Sequence, residues 1–187
     1  MAQQLEIPEE MQRRIQFLLE HQKYSRKILG IRLDNGHIVR NCFGTSAYVL
    51  GLEQIARDLW ISKKHKLNDK RSPMGNYIFH KEDEFPDHIG TLPMLHLLTT
   101  LKKVDKTPGA ITAYFYDNPT DKSFPGWNLR HTGVYLFTIH EKDVMFEQNG
   151  RGGSWQFVYD NVRREAIGKL ASFSRETLKV EYFLPKV

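Results

Sequence analysis

The spacing of hydrophobic positions changes character at Thr107-Pro108-Gly109, with helical periods before it and strand-like runs after it. Pro8-Glu9-Glu10 sets a proline and two acids at a helix start. Met11, Ile15, Leu18, Leu19 and Ile28 supply its apolar stripe, so a helix is expected over about 8–28, ending at Gly30. Ile31-Arg32-Leu33 and His37-Ile38-Val39 flank Asn35-Gly36, a type I′ turn signal, and predict a short hairpin. Phe43, Ala47, Leu50, Ile55 and Leu59 then predict a helix from Cys42 to about Trp60. Residues 62–90, with Pro73, Gly75, Pro86 and Gly90, read as a surface excursion holding at most a strand at Tyr77-Ile78-Phe79. Leu92, Leu95, Leu98 and Leu101 predict a helix over about 91–103, with Lys102-Lys103 suiting its C-terminus.

Strand runs follow at Ile111–Tyr116, His131–Ile139, Val144–Glu147 and Trp155–Tyr159. The last three are joined by turns around Glu141-Lys142-Asp143 and Gly150-Arg151-Gly152-Gly153, which implies an antiparallel meander. A helix over Asp160–Phe173 and a strand over Leu178–Leu184 complete the chain. The expected class is α+β, with N-terminal helices packed on a mainly antiparallel sheet. No linker divides the chain, so residues 1–187 are expected to form one domain, about 1–40 of which is a helix and hairpin preceding the Cys42 helix.

Composition narrows the function classes. With 40% hydrophobic residues and 12% aromatics the 187 residues can bury a substantial core, and a single cysteine excludes an internal disulfide. Twenty-seven basic against 22 acidic residues give a net charge of +5, which favours anionic partners such as nucleic acid, acidic membranes or bacterial cell-wall polymers. The densest basic cluster, Lys63-Lys64-His65-Lys66 with Lys70-Arg71, reads as a solvated loop without a nucleic-acid-binding signature, so nucleic acid is not the expected partner. His80, His88 and His96 have no companion cysteine or carboxylate motif, and neither a metal nor another cofactor is expected. No stretch approaches the roughly 20 apolar residues of a membrane span, and the N-terminus lacks a signal-peptide core. Synthesis in the cytoplasm is expected, with export by a specialised secretion machine or release by lysis if the protein acts outside.

The candidate chemistry centres on Cys42. A helix N-terminus favours a thiolate through its free N–H groups and dipole, although a lone cysteine also serves as a small buried hydrophobe. Cysteine catalysis needs a base beside the sulfur, a group orienting that base and donors for an oxyanion. His131 opens a strand and could be the base. Glu147-Gln148-Asn149, which begins sixteen residues later at the end of the next strand, offers acidic and amide partners for its other nitrogen. Trp127, in the loop before His131, is either a groove-lining or a core aromatic.

Asn41-Cys42-Phe43-Gly44 opening a helix, Thr107-Pro108-Gly109 before an apolar strand, His131-Thr132-Gly133-Val134-Tyr135-Leu136, and Glu147-Gln148-Asn149 together resemble the papain-like bacterial cysteine amidases and peptidases, namely the CHAP and NlpC-type cell-wall hydrolases. The resemblance covers about residues 41–160 in order and spacing. It departs at Asn41, where an aspartate is usual, at Ala110 after Pro-Gly, and at Phe43 in place of a small residue. It implies a papain-like fold with Cys42 as nucleophile and His131 as general base. Glu147 is implied as the orienting residue with Asn149 as a further polar member, or Gln148 in place of Glu147, and Asn41 and Trp127 as candidate substrate contacts. The implied substrates are peptide stems or cross-bridges of peptidoglycan, and the implied settings are a secreted toxin with a cognate immunity protein or a lysin. A host-protein-directed protease or deamidase shares the same pattern, and a non-catalytic binding module for an anionic polymer or nucleic acid is the reading from another class.

Overall fold

A computed structural model describes residues 7–25, 30–59, 89–117, 129–149, 153–173 and 177–186. The expected strand at Tyr77-Ile78-Phe79, the basic cluster at 63–71, His80, His88 and Trp127 lie outside them. The described architecture is α+β. Helices α1 (Glu9–Glu20), α2 (Gln22–Ser25) and α3 (Cys42–Val49), helical residues 53–59 (α4), and α5 (Thr91–Thr100) come first, with the hairpin strands β1 (Ile31–Arg32) and β2 (Ile38–Val39) between α2 and α3. Strands β3 (Lys102–Val104), β4 (Ile111–Asp117), β5 (Leu129–Ile139), β6 (Lys142–Gln148), β7 (Trp155–Tyr159) and β8 (Thr177–Leu184) form one sheet in the order β3-β8-β4-β5-β6-β7, with helix α6 (Asp160–Phe173) between β7 and β8 in the chain. Every pairing in it is antiparallel, so the expected β5-β6-β7 meander is present.

Several element boundaries differ from the sequence reading, each for a local reason. Helix α1 stops at Glu20, where His21 leaves the helical conformation and its N–H is shared between the Phe17 and Leu18 carbonyls. The amide of Gln22 then pairs with the backbone of Trp155, extending the β7 hydrogen-bonding pattern with a side chain. The long helix expected from Cys42 to Trp60 breaks at Gly51, which takes φ +72°. Leu52 N–H donates to the Ala47 carbonyl and Gly51 N–H to that of Tyr48, a Schellman ending, and the chain restarts as α4. Lys102-Lys103 do not close a helix. The hydroxyls of Thr99 and Thr100 donate to the carbonyls three residues back, Leu101 turns extended, and Lys102–Val104 pair with β8 as an edge strand.

The turns differ as well. In the β1–β2 hairpin only Gly36 has positive φ, and Gly36 N–H bonds to the Leu33 carbonyl while Leu33 N–H bonds to that of His37. This is a three-residue loop with glycine at the left-handed position, in place of a two-residue type I′ turn. The β5–β6 turn falls on His140 and Glu141, at φ 46° and 61°, so Lys142 and Asp143 already belong to β6.

Two apolar layers sandwich the sheet. On one face, Met11, Ile15 and Leu18 of α1 and Val49 of α3 pack on Val134, Leu136, Phe146 and Trp155, while Cys42, Phe43 and Ala47 join Met94, Leu97, Ile111 and Ala113 in an adjoining cluster. On the other face, Ile167 of α6 packs on Tyr114, Tyr116 and Met145. No helix among the described residues is long and apolar enough to cross a membrane.

Candidate active site

The start of α3 is fixed by its cap. Asn41 is extended, its Oδ1 accepts from the Gly44 N–H at 2.8 Å and its backbone carbonyl accepts from Thr45 N–H at 2.9 Å. Its Nδ2 donates to the Ile89 carbonyl at 2.9 Å, so both ends of this buried amide, expected at a substrate contact, are engaged within the fold. Cys42 is the first helical residue, and its N–H is one of those that an α-helix leaves without an internal partner.

Small polar residues lock this helix to the sheet, as befits buried hydroxyls that must each find a partner. Thr132 donates to the Cys42 carbonyl at 3.1 Å and accepts from Ser46 at 2.9 Å. Thr45 accepts from the indole N–H of Trp155 at 3.0 Å and donates to Gln148 Oε1 at 3.2 Å, and Gln148 Nε2 reaches the Gly153 carbonyl at 3.1 Å. Three strands of the meander therefore hold the helix that carries Cys42. Gln148 spends its side chain on that task, and the N–H of exposed Asn149 donates to the Ser154 carbonyl.

His131 and Glu147 project to the α6 side. Antiparallel pairing puts His131 opposite Tyr114, whose ring centroid lies 5.8 Å from the imidazole. His131 Nε2 and Glu147 Oε2 are 2.6 Å apart. The Cys42 thiol is near enough to the imidazole to act on its ionisation, and with Nε2 committed to Glu147, Nδ1 is the nitrogen left for the sulfur. Gly133 lies two residues further along β5. A Cβ there would come within 2.5 Å of the Met145 methyl and 3.2 Å of the Phe146 carbonyl oxygen, so the glycine leaves room for the Met145 side chain and the backbone of β6. Thus Cys42, His131 and Glu147 meet in one buried chain of contacts, at 5%, 6% and 0% exposure.

Burial by itself disfavours the imidazolium. The electrostatic and hydrogen-bonding influence of Cys42, joined by that of Glu147, outweighs it and raises the pKa of His131 well above the usual histidine value. Burial likewise pushes Glu147 up, yet the hydrogen bonds and charges of His131 and Arg163 pull it well below the usual carboxylate range. Arg163, on α6, donates from Nε to Glu147 Oε2 at 2.8 Å and from Nη2 to Oε1, and Gln156 Nε2 donates to Oε1 at 3.2 Å. Gln156 is also the β7 residue directly opposite Glu147.

Arg163 and Gln156 were not singled out by sequence reasoning. The only signal available was that a buried carboxylate demands a counter-charge, with two adjacent arginines one turn into the next helix. Arg164 serves a separate pair, donating to Asp160 and, at 3.0 Å, to the Tyr182 hydroxyl, while Tyr114 donates to Asp160 at 2.5 Å. No protein-family model matches this chain, and comparison with curated proteins and with solved structures gives no match.

Proposed function

We propose that this protein is a cysteine hydrolase of papain-like type that cleaves amide bonds through an acyl-enzyme, with Cys42 as nucleophile, His131 as acid and base, and Glu147 as the residue that orients the histidine. The observation that carries this reading is the relay from the Cys42 thiol at a helix N-terminus to the His131 imidazole and on to Glu147 at 2.6 Å. A core thiol needs no such chain, because a small buried hydrophobe is satisfied by packing alone.

In the proposed reaction the thiolate adds to the substrate carbonyl carbon, and the carbonyl π electrons move to oxygen. The Cys42 N–H, at the first position of α3, would donate to that oxyanion. Collapse breaks the C–N bond as the His131 imidazolium gives its proton to the leaving amine, forming a thioester. Water, deprotonated by the neutral imidazole, then adds to the thioester and releases the acid and the thiol. Glu147, ionised throughout, stabilises the imidazolium and fixes which ring nitrogen faces the sulfur.

The substrate class best matched is the peptide stem or cross-bridge of peptidoglycan, an anionic polymer suited to a chain of net charge +5. The same chemistry on a glutamine side chain would release ammonia and constitute deamidation of a protein. Mass spectrometry after incubation with muropeptides and with candidate host proteins, comparing wild type with Cys42→Ala, decides between them. Loss of a peptide bond in the wild type alone supports the hydrolase, and a gain of about one mass unit on a glutamine marks the deamidase. Identical products from Cys42→Ala and wild type would end the proposal.

A further inference from the structure

Glu147 is held more tightly than an orienting carboxylate requires. Its Oε2 accepts from both His131 Nε2, at 2.6 Å, and Arg163 Nε, at 2.8 Å. Its Oε1 accepts from Arg163 Nη2 and from Gln156 Nε2 at 3.2 Å. The guanidinium therefore grips both oxygens in its planar fork, and one of those oxygens is the atom that touches the imidazole. Rotation of the carboxylate away from His131 would break the fork. All of this takes place with Glu147 at 0% exposure and the Arg163 side chain at 12%.

We propose that Arg163 is a positioning residue of the catalytic site: its bidentate grip fixes the Glu147 carboxylate on His131 and supplies the counter-charge that lets a carboxylate act from a fully buried position. This rests on the proposed roles of Cys42, His131 and Glu147. It makes α6, a helix that follows the meander in the chain, part of the machinery. A neutral Glu147 could not support the imidazolium, and a mobile one would support it intermittently. Without Arg163, moreover, the pocket would lose a positive charge close to the thiolate–imidazolium pair, so the reactive form of the cysteine would be lost at a higher pH.

A structural role alone would have Arg163 merely anchor α6. Arg164 provides the comparison, because it makes a partly buried ion pair on the same helix, to Asp160, without touching Glu147. The test is the rate of Cys42 alkylation by iodoacetamide as a function of pH, on the full chain, for wild type, Arg163→Gln, Arg163→Lys and Arg164→Gln, with folding checked by circular dichroism. Arg163→Gln is expected to move the acid-side midpoint of the rate upward by about one pH unit or more and to lower the plateau by about tenfold. Arg163→Lys, which keeps the charge without the fork, should recover most of the midpoint and less of the plateau, while Arg164→Gln should keep the wild-type profile.

A folded Arg163→Gln with the wild-type midpoint and plateau would overturn the proposal, as would an equal shift in Arg164→Gln. Should Arg163→Gln fail to fold, the lysine variant decides: a wild-type plateau there overturns the proposal, and a lowered plateau supports it. The outcome that sinks the catalytic reading is different: it is slow alkylation of the wild type itself, unchanged by His131→Ala.

Discussion

The two faces of the sheet hold the site by opposite means. On the α3 face the helix that carries Cys42 is secured by neutral contacts: the Asn41 cap, the Thr132 and Ser46 hydroxyls, and Thr45 between Trp155 and Gln148. On the α6 face the grip is ionic, with Glu147 between His131 and Arg163. His131 joins the two, meeting the thiol of α3 through one nitrogen and the α6-side carboxylate through the other. Neutral bonds of the first kind contribute about 1 kcal/mol each, whereas breaking a buried ion pair by removing one partner costs about 3–5 kcal/mol. The α3 face therefore sets where the sulfur lies, and the α6 face sets the ionisation of Glu147 and, through it, part of that of His131.

The largest effect is expected from Glu147→Ala, which strands Arg163 and Gln156 and removes the support of the imidazolium. Destabilisation of about 3–5 kcal/mol in urea unfolding at neutral pH is expected, with activity reduced by at least about a hundredfold. A stability loss below about 1 kcal/mol would show that the ionic grip is not what holds this face.

The pH dependence follows from the same bond. Glu147 has its pKa lowered from 4.5 to about 2 on folding, so the stability it contributes is present above pH 4.5 and is lost as pH falls through about 2. His131 is raised from 6.5 to about 9, so its share is complete below pH 6.5 and is lost as pH rises through about 9. The His131–Glu147 bond is counted in both shifts, with Cys42 adding to the first and Arg163 to the second, so the two do not simply add; either shift corresponds to about 3 kcal/mol. Urea unfolding of the wild type across this range should show a plateau between pH 4.5 and 6.5 and declines on both sides. Glu147→Ala should flatten the acid decline.

Asn41→Ala is expected to be the mildest of these changes. It removes the α3 cap and the bond to the Ile89 carbonyl, at a cost of about 1–2 kcal/mol. Because no charge is involved, the deficit should be the same at every pH. A deficit that varied with pH would erase the distinction between the faces.

The same division governs what the sequence could reveal. The α3 side is written locally: a cap, small residues in the first turn and an apolar stripe are neighbours in the chain, and His131 and Glu147 lie one hairpin apart in successive strands. Alternation along β6 also separates Glu147 from Gln148 in advance. The grip on Glu147 is not written locally. Arg163 belongs to a different element, and charge pairing across a fold has no period to detect. Boundaries failed where two local rules competed. Lys102-Lys103 suit a helix end as well as a sheet edge, and Gly51 sits inside an apolar spacing that runs on through Ile55 and Leu59. Only tertiary contacts decide such cases, as when Lys102 pairs with Leu184 in β8.

The most direct test is whether Cys42 is an activated nucleophile in the folded protein. At neutral pH, stoichiometric iodoacetamide should alkylate native Cys42 rapidly, and His131→Ala should slow this by about a hundredfold while leaving the fold intact. Alkylation that is slow in the wild type, equal in His131→Ala and accelerated only by urea would identify Cys42 as a structural thiol and contradict the catalytic relay.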